Sequence, residues 1–180
     1  PVMEPIPLRR PAEWFGQGFA EALRQRGIAL KGNVRASSIL PGNVPRSQWL
    51  ELAGADSPPV SELVSQTLKR SQNLYAQLLL LQVGARRLAG TNQVPAGITT
   101  EAAGIAALGE MLRRAGIAAG EANFEEGTGL SRRTQVSPAA VAQLLVWMHR
   151  HRAASAFAQA LPVAGVDGTL RGRLGAGPAA

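Results

Sequence analysis

The chain has 180 residues and a mass of 18.9 kDa, the size of one ordinary domain or of a piece of a larger one. A hydrophobic share of 46% supports a buried core, and a charged share of 17% excludes a disordered, highly charged chain. Nineteen Lys and Arg against twelve Asp and Glu give +7, which favours anionic partners without choosing among nucleic acid, acidic polymers and membrane surfaces.

Cysteine is absent, which removes disulfides, thiolate metal sites and cysteine nucleophiles together. His149 and His151 are the two histidines, and their spacing builds neither an HExxH pair nor a two-His facial triad. No metal and no cofactor is expected. The longest aliphatic run, Leu78 to Leu81, falls far short of the ~20 residues that cross a bilayer, so no transmembrane segment is expected. Pro1 to Arg10 carries three prolines and no apolar stretch, and no signal peptide is visible there. The first residue is not Met, which is expected of a processed or excised portion.

In chain order, Pro11 to Arg26 predicts an amphipathic helix with Trp14, Phe15, Gly18, Phe19, Ala22 and Leu23 on one stripe and Gly27 as its left-handed stop. Ile28 to Ala36 alternates weakly and predicts a strand; Ser37 to Val44 is loop-like, and Trp49 to Ala53 predicts a second short strand. A helix opens at Ser57-Pro58-Pro59 and stops near Lys69-Arg70, where Ser71-Gln72-Asn73 links it to the most apolar helix of the chain. There Leu74, Leu78, Leu81, Ala85 and Leu88 repeat at heptad-like spacing and Leu79, Leu80 and Val83 cover another face, which predicts a central helix.

Gly90 to Gly97 reads as a turn region, followed by a helix from about Thr99 to Ala115 with Ile105, Leu108 and Leu112 buried and Gly116 as its stop. Ile117 to Phe124 predicts an extended segment entering the turn Glu126-Gly127-Thr128-Gly129-Leu130-Ser131. Ser137-Pro138 starts the next helix, with Ser at the cap and Pro at the first helical position. A short helix near Ala153 to Ala160 and one helical turn around Thr169 to Gly172 complete a mostly helical chain with two to four short strands.

Ser71-Gln72-Asn73 is the most informative tripeptide. A hydroxyl is donor and acceptor at once and can pass a proton between a nucleophile and a leaving amine, while an Asn amide can hold a carbonyl or an ammonium. An S-x-N alone is weak, and capping of the following helix is an ordinary role for Ser71.

The run Lys69 to Leu79 resembles the S-x-N region of the D-alanyl-D-alanine carboxypeptidase/endopeptidase family, the class C low-molecular-mass penicillin-binding proteins. Ser57-Pro58-Pro59-Val60-Ser61-Glu62-Leu63 looks like the helix leading into that motif. Glu126-Gly127-Thr128-Gly129-Leu130-Ser131-Arg132 looks like the family's D-G-S-G-L-S-R turn, and Leu161 to Leu170 resembles a further segment. Four blocks in the same order are far more specific than any one.

The resemblance implies an α+β, predominantly helical fold, part of a penicillin-binding or serine β-lactamase-like transpeptidase domain. Residues 1–10 would be a linker or an incomplete preceding segment, and 11–180 a partial catalytic domain. It also implies peptidoglycan stem peptides ending in D-Ala-D-Ala as substrates, β-lactams as acylating ligands, and a periplasmic or extracytoplasmic location. Ser71 and Asn73 would be catalytic, and Thr128, Gly129, Leu130 and Ser131 would line the substrate.

Such enzymes combine S-x-x-K, S-x-N and K-T-G: the nucleophile with its lysine, the proton relay, and the carboxylate-binding strand. Lys31 and Lys69 are the two lysines; Ile28 and Gln66 stand three residues before them, and Gly32 and Arg70 follow them. Neither motif can be built from them. The chain is therefore expected to be a fragment between the other two motifs, inactive by itself. Gln72 stands where Asp is frequent, and Glu126 and Thr128 replace the more usual Asp and Ser. The competing expectations are a basic nucleic-acid-binding helical module, which the +7 charge supports and the 4% aromatic content opposes, and a non-catalytic wall-binding relative. His149 and His151 are expected at a solvated helix end, and Glu125-Glu126 on opposite faces of a strand.

Overall fold

A computed structural model describes residues 9–36, 50, 53–90 and 97–173. The chain divides into two compact units, Pro1–Ala55 and Asp56–Ala180. The expected Ser37–Val44 loop, and most of the expected Trp49–Ala53 strand, of the Gly90–Gly97 turn and of the 1–10 linker, lie outside the described residues.

In the first unit, α1 (Pro11–Gln25) starts on Pro11 as expected. It ends in a six-residue wrap: the Ile28 amide donates to Leu23 O at 3.0 Å, the Gly27 amide to Arg24 O at 2.9 Å, and Gly27 takes φ 77. Ala20 is its one buried residue, while Trp14, Phe15 and Phe19 of the predicted stripe are exposed, the two phenylalanines stacked on each other. The strand expected over Ile28 to Ala36 does not form. Left-handed Gly27 and Gly32 interrupt it, and Val34 instead packs onto the helix at Gly16, where a Cβ would lie 2.5 Å from Val34 Cγ1.

The second unit holds α2 (Val60–Arg70), α3 (Asn73–Ala89), α4 (Thr100–Arg114), β1 (Ala122–Asn123), β2 (Gln135–Val136), α5 (Pro138–His149), α6 (Ala154–Ala160) and a 3-10 turn at Gly168–Leu170. Its organising contact is the crossing of α3 and α4. A Cβ at Gly84 would sit 1.9 Å from Thr100 O, and one at Gly104 would sit 2.6 Å from Leu80 O. Glycine inside a helix costs about 1 kcal/mol relative to alanine, and here it permits backbone-to-backbone approach. The helix from Thr99 to Ala115 was expected to bury Ile105, Leu108 and Leu112; Ala103, Gly104 and Leu112 are its buried residues.

The core proper is Leu112, Ala115, Ile117 and Ala140, with Leu108, Met111, Phe124, Leu144 and Trp147 packed around it. α4 ends in the same wrap as α1, with Ile117 N–H donating to Leu112 O and Gly116 at φ 81. Gln143 of α5 donates to Ala115 O at 2.9 Å, giving one of the last carbonyls of that helix a side-chain partner. α5 begins as its sequence predicts: Ser137 Oγ accepts from the Ala140 amide at 3.0 Å, and its hydroxyl donates to Glu121.

Two further expectations change. The extended segment 117–124 contracts to a two-residue ladder, Ala122 opposite Val136 and Asn123 opposite Gln135, because Gly116 and Gly120 both take left-handed conformations. The apolar α3 is not enclosed: among its described residues Gly84 alone is buried, and Leu74, Leu78 and Val83 are exposed.

Gly84→Ala should therefore force α3 and α4 apart and lower stability by about 3 kcal/mol or more. Gly109→Ala on α4, whose Cβ would meet just Arg113 Nη1 at 3.7 Å among the described atoms, should raise it by up to about 1 kcal/mol. Thermal unfolding of the two variants checks the pair; equal effects would show that the crossing is not the tight contact described.

Candidate active site

The expected motif Ser71-Gln72-Asn73 occupies the junction of α2 and α3. Gln72 N–H donates to Thr67 O at 3.0 Å, closing the wrap that ends α1 and α4, and Ser71 stands where those helices carry Gly27 and Gly116. Ser71 takes φ 56, and Arg10 is the one other described non-glycine residue with positive φ. A side chain in this region costs roughly 1–2 kcal/mol relative to glycine. Ser71 does not cap the following helix: Gln72 is the residue before α3, without a side-chain cap bond, and Asn73 is the first helical residue. Among the described residues neither the Ser71 hydroxyl nor the Asn73 amide has a hydrogen-bond partner. Ser71 is exposed and Asn73 half-buried.

One helical turn beyond Asn73, Gln77 fixes the glycine turn to α3. Its Oε1 accepts from the Gly127 amide at 2.6 Å, and its Nε2 donates to Glu101 of α4. A Cβ at Gly127 would lie 3.0 Å from both Gln77 Cα and Leu80 Cβ, so the turn lies flat on the helix. Glu126 shapes the turn from inside: its carboxylate accepts the amides of Thr128, Gly129, Leu130 and Ser131. Hydrogen bonding from Thr128 is the largest cause of a pKa held below the ordinary carboxylate range; burial opposes it next in size, and the backbone amides of Ser131, Thr128 and Gly129 add to the lowering.

Glu125 binds the Ser131 hydroxyl and Arg133, and its pKa is lowered, by Ser131 most and then by Arg133. The two carboxylates thus serve two different parts of one turn. Of the four turn residues expected to line substrate, Thr128 and Ser131 have hydroxyls engaged within the turn, Leu130 is exposed, and Gly129 borders a cleft of about 300 Å³. That cleft lies against α3 and is walled by Ala76, Leu79, Leu80, Val83, Leu108 and Phe124.

The last block packs on the final turn of α2. Lys69 Nζ donates to Leu161 O at 3.0 Å and to Asp167 Oδ2, and Asp167 Oδ1 accepts from the Val163 amide at 2.9 Å. Lys69 and then the Val163 amide draw the Asp167 pKa down. Lys69, Asp167, Gln77 and Glu101 carry no signal of this role in sequence except one: Gln77 is four residues after Asn73 and so shares its helix face. The Lys69–Asp167 tie spans 98 residues. His149 is exposed at the end of α5 as expected. His151 is half-buried, stacked on Trp147 at 4.8 Å, and accepts from the Ala153 amide. Among the described residues no His, Cys, Asp and Glu cluster could hold a metal ion, and no described helix is long and apolar enough to cross a membrane.

A lowered pKa means that the contribution of ionised Glu126 to the turn is complete above the unfolded value of about 4.3 and is lost as pH falls through the folded value. The amide resonances of Gly129 and Ser131 should titrate together with a midpoint below that of an exposed Glu, and Glu126→Gln should remove the titration and speed hydrogen exchange at residues 129–131. A midpoint at the ordinary value would contradict the ring of amides.

Comparisons with known proteins give the family of the chain. The sequence matches the D-Ala-D-Ala carboxypeptidase 3 (S13) family over residues 1–180. It is 32% identical over 172 residues to a D-alanyl-D-alanine carboxypeptidase of Actinomadura sp. (strain R39), covering 91% of this chain and 29% of that protein. To the D-alanyl-D-alanine carboxypeptidase DacB of Haemophilus influenzae it is 31% identical over 153 residues, 85% of this chain and 29% of the other. The crystal structure of penicillin binding protein 4 from the same organism, complexed with a β-lactam, superposes with a TM-score of 0.77 at 26% identity, covering 96% of this chain and 37% of that one. The chain spans less than a third of the length of these two curated relatives. Two sequence blocks pack on the helices that flank Ser71-Gln72-Asn73, one on α3 at Gln77 and one on α2 at Lys69, and the family match runs through all of them: the chain belongs to the D-Ala-D-Ala carboxypeptidase 3 (S13) family.

Proposed function

We propose that this chain is the part of a serine-type D-Ala-D-Ala carboxypeptidase/endopeptidase that carries the proton relay of acyl transfer. One observation carries the proposal. Ser71 keeps an exposed, unpartnered hydroxyl in a backbone conformation that glycine would adopt without cost, beside an Asn amide that is also unpartnered among the described residues. Strain of this kind at a polar side chain is a feature of functional sites.

In this reading Ser71 takes the proton released by the nucleophilic serine and delivers it to the nitrogen of the leaving D-alanine as the acyl–oxygen bond forms and the peptide bond breaks. Asn73 orients the scissile-side amide and the catalytic lysine. The nucleophile, its lysine and the carboxylate-binding K-T-G are supplied by sequence outside this chain, which alone does not acylate. Residues 11–180 form part of the catalytic domain, and 1–10 lead into it. The substrates are peptidoglycan stem peptides ending in D-Ala-D-Ala, β-lactams acylate the same serine, and the enzyme works outside the cytoplasm. The turn from Thr128 to Ser131 is a substrate-facing rim whose shape Glu126 sets.

The enzyme that contains this chain should be labelled by fluorescent penicillin. Ser71→Ala should slow labelling by roughly 10²–10⁴-fold, the range of general acid–base catalysis. Ser71→Gly should slow it as much while the melting temperature stays at or above that of the parent, because the left-handed position suits glycine. Unchanged labelling kinetics in both variants would remove Ser71 from the mechanism, and absence of labelling in the parent would favour a non-catalytic wall-binding protein.

A further inference from the structure

We propose that Lys69 is a positioning residue for Ser71, holding the left-handed link in register by clamping the Leu161–Gly168 segment to the last turn of α2. The inference rests on the role assigned to Ser71 above and adds a residue that the three-motif scheme leaves without a function. A lysine in the last turn of a helix ordinarily reaches into solvent or back to the free carbonyls of its own helix. Lys69 does neither. Its side chain is about one-quarter exposed, and its ammonium joins Leu161 O and Asp167 Oδ2, residues more than ninety positions away.

The clamp grips the main chain of Lys69 as well. Gly168 takes φ 60 and lies directly on it: a Cβ there would be 2.7 Å from Lys69 O, 3.2 Å from Lys69 Cα and 2.8 Å from Pro162 Cβ. The same loop is closed on itself by Asp167 Oδ1 with the Val163 amide, by Val163 O with the amides of Val166 and Asp167, and by the Gly165 amide with Leu170 O. It is therefore a rigid pad. Two residues after Lys69 comes Ser71, whose φ of 56 no helix-ending residue other than glycine adopts freely. Released from the pad, the last turn of α2 frays like other helix ends, and Ser71 relaxes toward ordinary backbone regions. Such a change moves its hydroxyl on the ångström scale, and misplacement of about 1 Å can cost a factor of about 10² in rate.

The test is a two-by-two set in the full-length enzyme, with acylation by fluorescent penicillin followed over time and normalised to the final number of labelled sites. Lys69→Met should lower the acylation rate constant about 10–100-fold with little change in the β-lactam concentration for half-saturation. Lys69→Arg should retain more of the rate than Lys69→Met, and Asp167→Asn should reproduce the loss more mildly. Because Lys69 acts through the Ser71 hydroxyl, Lys69→Met introduced into Ser71→Ala should change the remaining rate by less than about twofold. An equal loss in both backgrounds overturns the inference and leaves the role of Ser71 intact. So does a fall in labelled sites with an unchanged rate, which is what a purely structural lysine would give. An unchanged rate in Ser71→Ala overturns the function of Ser71, and the inference with it.

Discussion

The contact on which the second unit depends is the crossing of α3 and α4 at Gly84 and Gly104. Two helices whose backbones touch cannot slide or rotate without driving a carbonyl into a helix axis, so every side chain projecting from their shared end has a fixed position. Glu101, in the first turn of α4, reaches Gln77 of α3 for that reason, and Gln77 in turn receives the amide of Gly127. The glycine turn is thus placed by a relay that begins at two residues with no side chain. The position of Asn73, one turn before Gln77, is set by the same rigid pair.

Among the described helix ends one device appears three times. α1, α2 and α4 all end in a wrap in which an amide returns to a carbonyl five residues back, and all three need a left-handed residue at the penultimate position. At Gly27 and Gly116 the requirement is met without strain. At Ser71 it is met by a residue that contributes a hydroxyl, and the surrounding structure supplies the restraint that glycine makes unnecessary elsewhere. The wrap, the Lys69 clamp and the start of α3 all bear on three consecutive residues.

Much of this was legible in the sequence, and the parts that were not share a cause. Helices announced themselves through local chemistry: Pro11, Ser137-Pro138, Gly27 and Gly116 act within one turn of where they stand, and each does what its residue type predicts. Strands did not. Alternation over Ile28 to Ala36 and Ile117 to Phe124 is a weak local signal, and glycines with positive φ within or beside those runs override it. The α3 leucines were expected to be enclosed because periodicity shows that a face is apolar without showing what covers it. In the site, Ser71 and Asn73 were visible as a motif, and the glycine turn and the Asp167 segment as blocks. What joins them was not visible, because the hydrogen bonds of Gln77, Glu101, Lys69 and Asp167 connect residues 24 to 98 positions apart.

The ring of amides around Glu126 has a consequence for recognition. Four consecutive backbone N–H groups converging on one point form a receptor for an anion, of the kind that elsewhere binds phosphate or a peptide terminus. Here the receptor is filled by the protein's own Glu126 carboxylate. While Glu126 is ionised and in place, these four donors are already engaged and are not open to the carboxylate of a ligand.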